Sequence, residues 1–218
     1  MVQAEIHLIS DGKLPLSQFI EIAGATHPLL DYIHLREKHR SARELMAAAE
    51  ELLRTGLPSA KLIINDRIDV ALAVGARGVQ LPWHSLTPVE ARALAPHLRL
   101  GRSIHSPEEA EEANSQGADF CLFGHVFTST SKPGQPERGL AQLAQTVRIS
   151  RIPVIAIGGI TPDHVSQIMK QGAAGIAVIS GICGSEDPVS AVKAYRASLQ
   201  VASKSGQVKE VSMHESAH

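Results

Sequence analysis

Aromatic residues are scarce, 3% of a 218-residue chain that holds one tryptophan, two tyrosines and four phenylalanines. A surface that grips nucleic acid by stacking on its bases needs more of them. Excess charge is missing as well: 21 lysines and arginines against 22 aspartates and glutamates leave a formal charge of -1. Such a balance gives no long-range field for a polyanion or a membrane surface. Cysteine is nearly absent. Cys121 and Cys183 stand far apart among apolar or small neighbours, without metal-ligand or redox spacing, and they read as reduced core thiols of a cytoplasmic protein. No charged leader followed by a long apolar run opens the chain, and no stretch approaches the roughly 18 apolar residues of a membrane helix.

What the chain does have is aliphatic and small residues, suited to a core packed between strands and helices. Short apolar runs recur at Glu5–Ser10, Tyr32–Arg36, Lys61–Asn65, Gly78–Leu81, Leu98–Ser103, Asp119–Phe123, Val154–Ile157 and Gly175–Ser180. Segments of helical period separate them, led by Leu16–Ala25, Ala42–Thr55, Asp66–Val74, Pro88–Ala95, Pro107–Gln116, Gly139–Ile149, Asp163–Gln171 and Pro188–Leu199. Eight strand-helix units with right-handed crossovers predict a parallel sheet closed on itself, a (β/α)8 TIM barrel of the α/β class. An open doubly wound sheet is the alternative. The barrel accounts for residues 1–200 as one domain. Residues 201–218 are polar and mixed in charge without a sustained period, and read as a mobile tail.

Helix starts are well marked by Ser41, Thr87-Pro88, Ser106-Pro107 and Thr161-Pro162, which supply capping oxygens or first-turn prolines. Ser106-Pro-Glu-Glu109 has the form of a capping box.

In a barrel the functional groups project from the C-terminal ends of the strands. Strand two ends in His34-Leu-Arg-Glu-Lys38, placing His34, Arg36 and Lys38 on one side of an extended chain, where they meet an anion or form an exposed ionic loop with Glu37. Asn65 and Asp66 end strand three, Asp66 being equally suited to cap the next helix. Strand four runs out into Pro82-Trp-His-Ser85, and strand five delivers Arg102, Ser103 and His105, with Ser103 aimed inward. After strand six comes Phe123-Gly-His-Val-Phe-Thr-Ser-Thr-Ser-Lys-Pro-Gly134. His125 there either moves a proton near neutral pH or bonds a neighbouring carbonyl; Ser129, Ser131 and Lys132 are placed to bind an anion beside it. Gly158 and Gly159 after strand seven, with Ser180 and Gly181 after strand eight, match the recurrent phosphate site of barrels. Close packing of loop on loop is the other explanation of those glycines.

Taken together, Leu35-Arg-Glu-Lys38, Ile64-Asn-Asp-Arg67, Val70-Ala-Leu-Ala-Val-Gly-Ala-Arg-Gly-Val79, Gly117-Ala-Asp-Phe120, Ile155-Ala-Ile-Gly-Gly-Ile160 and Ile176-Ala-Val-Ile-Ser180 resemble the thiamine phosphate synthase superfamily, from about Ile6 to Leu199. Its synthases join a pyrimidine diphosphate to a thiazole phosphate on magnesium, and carry a Gly-Gln-x-Asp segment after strand four whose aspartate helps hold the metal. Here that place reads Pro82-Trp-His-Ser85, Gln80 replaces the usual histidine before it, and His34 replaces the usual glutamine before Leu-Arg.

The other branch, the TenI-type thiazole tautomerases, has Gly-His-Val-Phe, as at Gly124-His-Val-Phe127. That resemblance implies an isomerase of thiamine biosynthesis, aromatising a carboxylated thiazole phosphate tautomer with His125 as acid and base and with neither metal nor organic cofactor. It implies that Gly158, Gly159, Ser180 and Gly181 hold the phosphate while Arg36, Lys38, Asn65, Ser103, Ser129, Ser131 and Lys132 face the rest of the substrate. The expected partner is a small phosphorylated thiazole, with no nucleic acid and no membrane; association with further copies of the chain is left open. A magnesium-dependent synthase and a non-catalytic ligand-binding barrel are the alternatives.

Overall fold

The computed structural model describes residues 4–129 and 134–215, with residues 204–215 described by backbone alone. Eight parallel strands close into a barrel: β1 (Glu5–Ile9), β2 (Tyr32–Leu35), β3 (Leu62–Asn65), β4 (Gly78–Leu81), β5 (Arg99–Ile104), β6 (Phe120–Gly124), β7 (Val154–Ile157) and β8 (Gly175–Val178). Each pairs with its sequence neighbours, and β1 closes the ring against β8 with His7 opposite Ala177. Every strand end falls within two residues of the boundary read from the sequence. The reason is that both faces of a barrel strand are buried, which makes a short continuous apolar run an unusually direct mark of it.

The outer ring begins with α1 (Leu16–Thr26), α2 (Ala42–Arg54), α3 (Ile68–Ala73), α4 (Pro88–Leu94) and α5 (Pro107–Ser115). It continues with α6 (Gly139–Ile149), α7 (Val165–Lys170), α8 (Ser180–Cys183) and α9 (Pro188–Glu215). Ser41 and Thr87 accept hydrogen bonds from the N–H groups of Glu44 and Glu90, whose carboxylates return the bond to the cap N–H. At α5 the box is only half formed. Ser106 Oγ accepts from Glu109 N–H at 3.3 Å, but the Glu109 carboxylate takes the N–H of His105 at 2.7 Å, one residue before the cap. α9 runs on to Glu215, beyond the end at Leu199 that its periodicity predicts.

The main apolar core lies between strands and helices, where Ile6, Leu8, Ile33, Leu35, Leu62 and Ile64 meet Phe19, Ala23, Leu45, Ala49 and Leu52. A second cluster, Ile9, Phe120, Leu122, Ile155 and Ala177, fills part of the barrel interior. The rest of that interior is polar. The Arg99 guanidinium lies 4.4 Å from the Tyr32 ring centre and 4.6 Å from that of Phe120, and donates to Glu5 at 3.2 Å. His7 and His34 sit directly above, both buried. Gly101 makes room for this stack: a Cβ there would come within 2.3 Å of the Phe120 ring and 2.2 Å of the Gln80 amide.

Candidate active site

The C-terminal ends of the strands open on a cavity of about 820 Å³, large enough for two small phosphorylated rings. Its wall includes Arg36, Lys38, Asn65, Ser103, His125, Ser129, Gly158, Gly159, Ser180 and Gly181, so the barrel gathers ten of the residues singled out from the sequence. The remaining two, Ser131 and Lys132, lie outside the described residues.

Arg36 and Lys38 leave β2 on one flank of β1, and the loops after β7 and β8 leave on the other. Neither cation forms a salt bridge among the described residues, although the Glu37 charge is near enough to act on Arg36. Ser10 Oγ anchors the turn by accepting the Arg36 N–H at 2.8 Å. Burial lowers the Arg36 pKa, against the opposing charge of Glu37. The Arg36 charge, followed by burial, lowers that of Lys38, with Asp66 pulling the other way. The Arg36 charge thus works against that of Lys38 at the cavity mouth, and an anion bound there relieves it.

The opposite flank is built by close contact. Gly158, at φ 104°, lies so near the next loop that a Cβ would fall 2.3 Å from the Cβ of His125; at Gly159, φ 65°, one would fall 2.2 Å from the Thr128 carbonyl oxygen. Gly181 faces the Tyr195 hydroxyl, which donates to the Ile160 carbonyl at 2.8 Å. Close packing therefore accounts for the missing side chains, and it also leaves bare backbone lining the cavity. At the start of α8 the first N–H groups have no carbonyl one turn earlier to bond.

His125 follows a cis Gly124–His125 peptide and is 4% exposed. Its Nε2 lies 3.3 Å from the Gln135 carbonyl, and its Nδ1 meets no protein partner. The loop-carbonyl contact and the cavity position are thus both realised. On β4, Gln80 is buried and donates through Nε2 to Ser103 Oγ at 3.0 Å, while its Oε1 has no protein partner. Arg102 points away from the site. It donates to the carbonyls of Pro82, Leu86 and Trp83 and holds the Trp83 loop, whose indole is 71% exposed.

Sequence reasoning missed the polar line beneath the cavity. His7 Nε2 lies 2.8 Å from Glu5 Oε2, and His7 Nδ1 lies 2.9 Å from His34 Nε2. Burial alone would raise the Glu5 pKa, but the bond and charge of His7 and the charge of Arg99 leave it lowered, a carboxylate. Burial lowers the His7 pKa despite Glu5, and burial with the His7 and Arg99 charges holds His34 well below the usual imidazole range. The available signal was Glu5 and His7 at alternate positions of an apolar strand, hence on one face.

Magnesium, which the superfamily resemblance implies, finds few ligands here. Asp66 stands at the rim with φ 64°, its Oδ2 3.8 Å from His84 Nε2, while Asp69 is bound by Arg67. No group of three or more His, Cys, Asp or Glu side chains among the described residues is arranged to hold a metal. One carboxylate beside an imidazole does not match an ion that prefers an octahedral oxygen shell.

Comparison with known proteins places this barrel among relatives. The family model described as "TMP-TENI: Thiamine monophosphate synthase" matches residues 6–182. A thiamine-phosphate synthase of Pyrococcus horikoshii is 38% identical over 199 residues, covering 88% of this chain and 93% of the relative. A putative thiamine-phosphate synthase of Geobacter sulfurreducens is 42% identical over 206 residues, 91% of this chain and 95% of the relative. The solved thiamine phosphate pyrophosphorylase of Pyrococcus furiosus superposes with a TM-score of 0.79 at 32% identity, covering 92% of this chain and 98% of that one. These names overturn the expectation of a thiazole tautomerase and isomerase: a four-residue match at Gly124–Phe127 is outweighed by similarity to synthases over nearly the whole chain.

Proposed function

The chain belongs to the thiamine monophosphate synthase family, and on that premise we propose that this enzyme is a transferase joining a pyrimidine diphosphate to a thiazole phosphate. The observation that carries the reading is similarity to synthases over nearly the whole chain, and the cavity has two flanks able to receive the two phosphorylated rings: Arg36 and Lys38, which form no salt bridge among the described residues, on one side of β1, and the glycine-lined loops after β7 and β8 on the other.

Arg36 and Lys38 hold the diphosphate and stabilise the charge that gathers on it as the bond from the pyrimidine methylene carbon to oxygen breaks. Backbone N–H groups at Gly158, Gly159, Ser180 and Gly181 hold the thiazole phosphate. That places the thiazole ring nitrogen to direct its lone pair at the methylene carbon, so a C–N bond forms as diphosphate departs. Asn65, Ser103 and Ser129 orient the rings, and His125, wedged against Gly158, positions the thiazole rather than shuttling a proton. Holding both partners in one cavity removes much of the entropic barrier to their encounter. No step is assigned to magnesium, because the side chains present do not build a site for it.

The test is to supply both substrates together and singly, with added magnesium and with chelator, and to measure diphosphate release and the coupled product. Diphosphate release that depends on the thiazole phosphate supports the transferase. Tight binding of both compounds with no product in either medium refutes it.

A further inference from the structure

The glycine pair after β7 is tied down by its carbonyls. Gly158 C=O accepts the Phe127 N–H at 3.0 Å, and Gly159 C=O lies 3.1 Å from His164 Nδ1. Both peptides are trans, so each bound carbonyl turns the next N–H, of Gly159 and then of Ile160, to the opposite side of the chain. Neither N–H has a protein acceptor among the described residues. Gly159 and Ile160 line the cavity, and His164 stands outside its wall. Two successive N–H groups released in this way form the kind of concavity that receives an anion.

His164 Nδ1 stands between two groups of opposite demand. The Thr161 N–H, 3.3 Å away, calls for a lone pair, and the Gly159 carbonyl at 3.1 Å calls for a proton. One ring nitrogen meets one of them. The Gly159 contact is the shorter. Thr161 is exposed, where water serves its N–H, while Gly159 is half-buried. The imidazole is also stacked on Phe127, with ring centroids 4.0 Å apart and planes 22° from parallel, and Phe127 is the residue whose N–H holds Gly158.

We propose that His164 is a positioning residue for the phosphate of the thiazole substrate: its Nδ1–H donates to the Gly159 carbonyl, and the peptide so oriented offers the Ile160 N–H to a phosphoryl oxygen. The imidazole does not touch the substrate. Without it the peptide is free to turn and to present its carbonyl to the anion. The inference deepens the reading of the loops after β7 and β8 as the seat of that phosphate and rests on it.

The experiment titrates the full chain in calorimetry with 4-methyl-5-(2-phosphooxyethyl)thiazole and with the matching alcohol, so that the ratio of affinities isolates the phosphate. His164→Phe keeps the stack on Phe127 and loses the nitrogen. His164→Asn gives up the stack and sets an amide where Nδ1 stood. The ratio falls roughly tenfold in His164→Phe, as loss of one hydrogen bond to a charged group requires, and stays within about twofold of wild type in His164→Asn. In the wild-type complex with the phosphate, long-range 15N–1H correlation of the assigned imidazoles places a proton on His164 Nδ1. A bare Nδ1 in that complex overturns the proposal even if neither variant folds. An unchanged ratio in His164→Phe, or a loss confined to His164→Asn, makes the ring a packing residue and overturns it as well. Equal affinity of the wild type for the two thiazoles sinks the phosphate seat together with this proposal, whereas absence of coupling activity alongside the expected ratios sinks the transferase alone.

Discussion

Gly158→Ala tests the contact on which the β7 side of the site depends. The alanine is asked to hold φ at 104°, outside the conformations open to L side chains, which costs about 1–2 kcal/mol. Its methyl would also fall 2.3 Å from the Cβ and 2.7 Å from the Cα of His125. Those atoms are not the free end of a flexible side chain, so the backbone of one loop has to move, adding about 1–3 kcal/mol as in overpacked cores. The sum is about 3 kcal/mol, and at about 2–4 °C per kcal/mol for a domain of this size it lowers Tm by roughly 6–12 °C. Gly75→Ala is the internal control. It shares a positive φ, 65°, but a Cβ there meets nothing within 4 Å, so it carries only the conformational part, about 1 kcal/mol and roughly 2–4 °C. Thermal denaturation followed by far-UV circular dichroism separates the two variants. Equal shifts would mean that the loops after β6 and β7 are not in contact as described, and the phosphate site proposed there would fall with it.

Other perturbations reach other parts of the molecule. Arg36→Ala and Lys38→Ala each weaken inorganic diphosphate binding about 10- to 100-fold in calorimetry and flatten its salt dependence, as expected of cations that form no salt bridge among the described residues; unchanged affinity would remove these residues from the site. Both His7 and His34 have folded pKa values below the ordinary imidazole value of 6.5, so the unfolded chain takes up more protons as the pH falls through 6.5. Stability is therefore full above that pH and declines below it, by up to about 1.4 kcal/mol per pH unit for each proton. Urea midpoints measured from about pH 7 to about pH 5 should fall less steeply in His34→Gln than in wild type. Arg102→Ala strips donors from three carbonyls of the Trp83 loop and costs roughly 2 kcal/mol. Trp83 being the only tryptophan, faster quenching of the protein's fluorescence by iodide reports the loosened loop. Burial pushes Cys121 and Cys183 up to about 12, so a thiol reagent at mildly alkaline pH labels neither until the protein is unfolded.

The contrast between what the sequence disclosed and what it concealed has a physical origin. Strands such as Val154–Ile157 and Gly175–Val178 are buried on both faces, and short apolar runs with glycine at one end leave them few alternatives. The cavity wall followed from topology alone, because parallel closure puts Arg36, Asn65, Ser103, Gly158 and Ser180 at one end whatever their side chains do. The barrel floor was different in kind. Glu5, His7, His34 and Arg99 come from three strands, and apart from the alternate pair Glu5 and His7 none of them predicts its partner until the ring closes and brings β5 across from β1. A lone histidine in an apolar strand looks like a packing residue until the closed ring shows what it touches. Gly124-His-Val-Phe127 misled for the reciprocal reason. Its histidine does occupy the cavity wall, but the same position serves ligand placement as readily as proton transfer, so the motif located a site without specifying a reaction. Reaction type is read instead from the similarity to synthases, which extends over nearly the whole chain. No single stretch of the chain contains it.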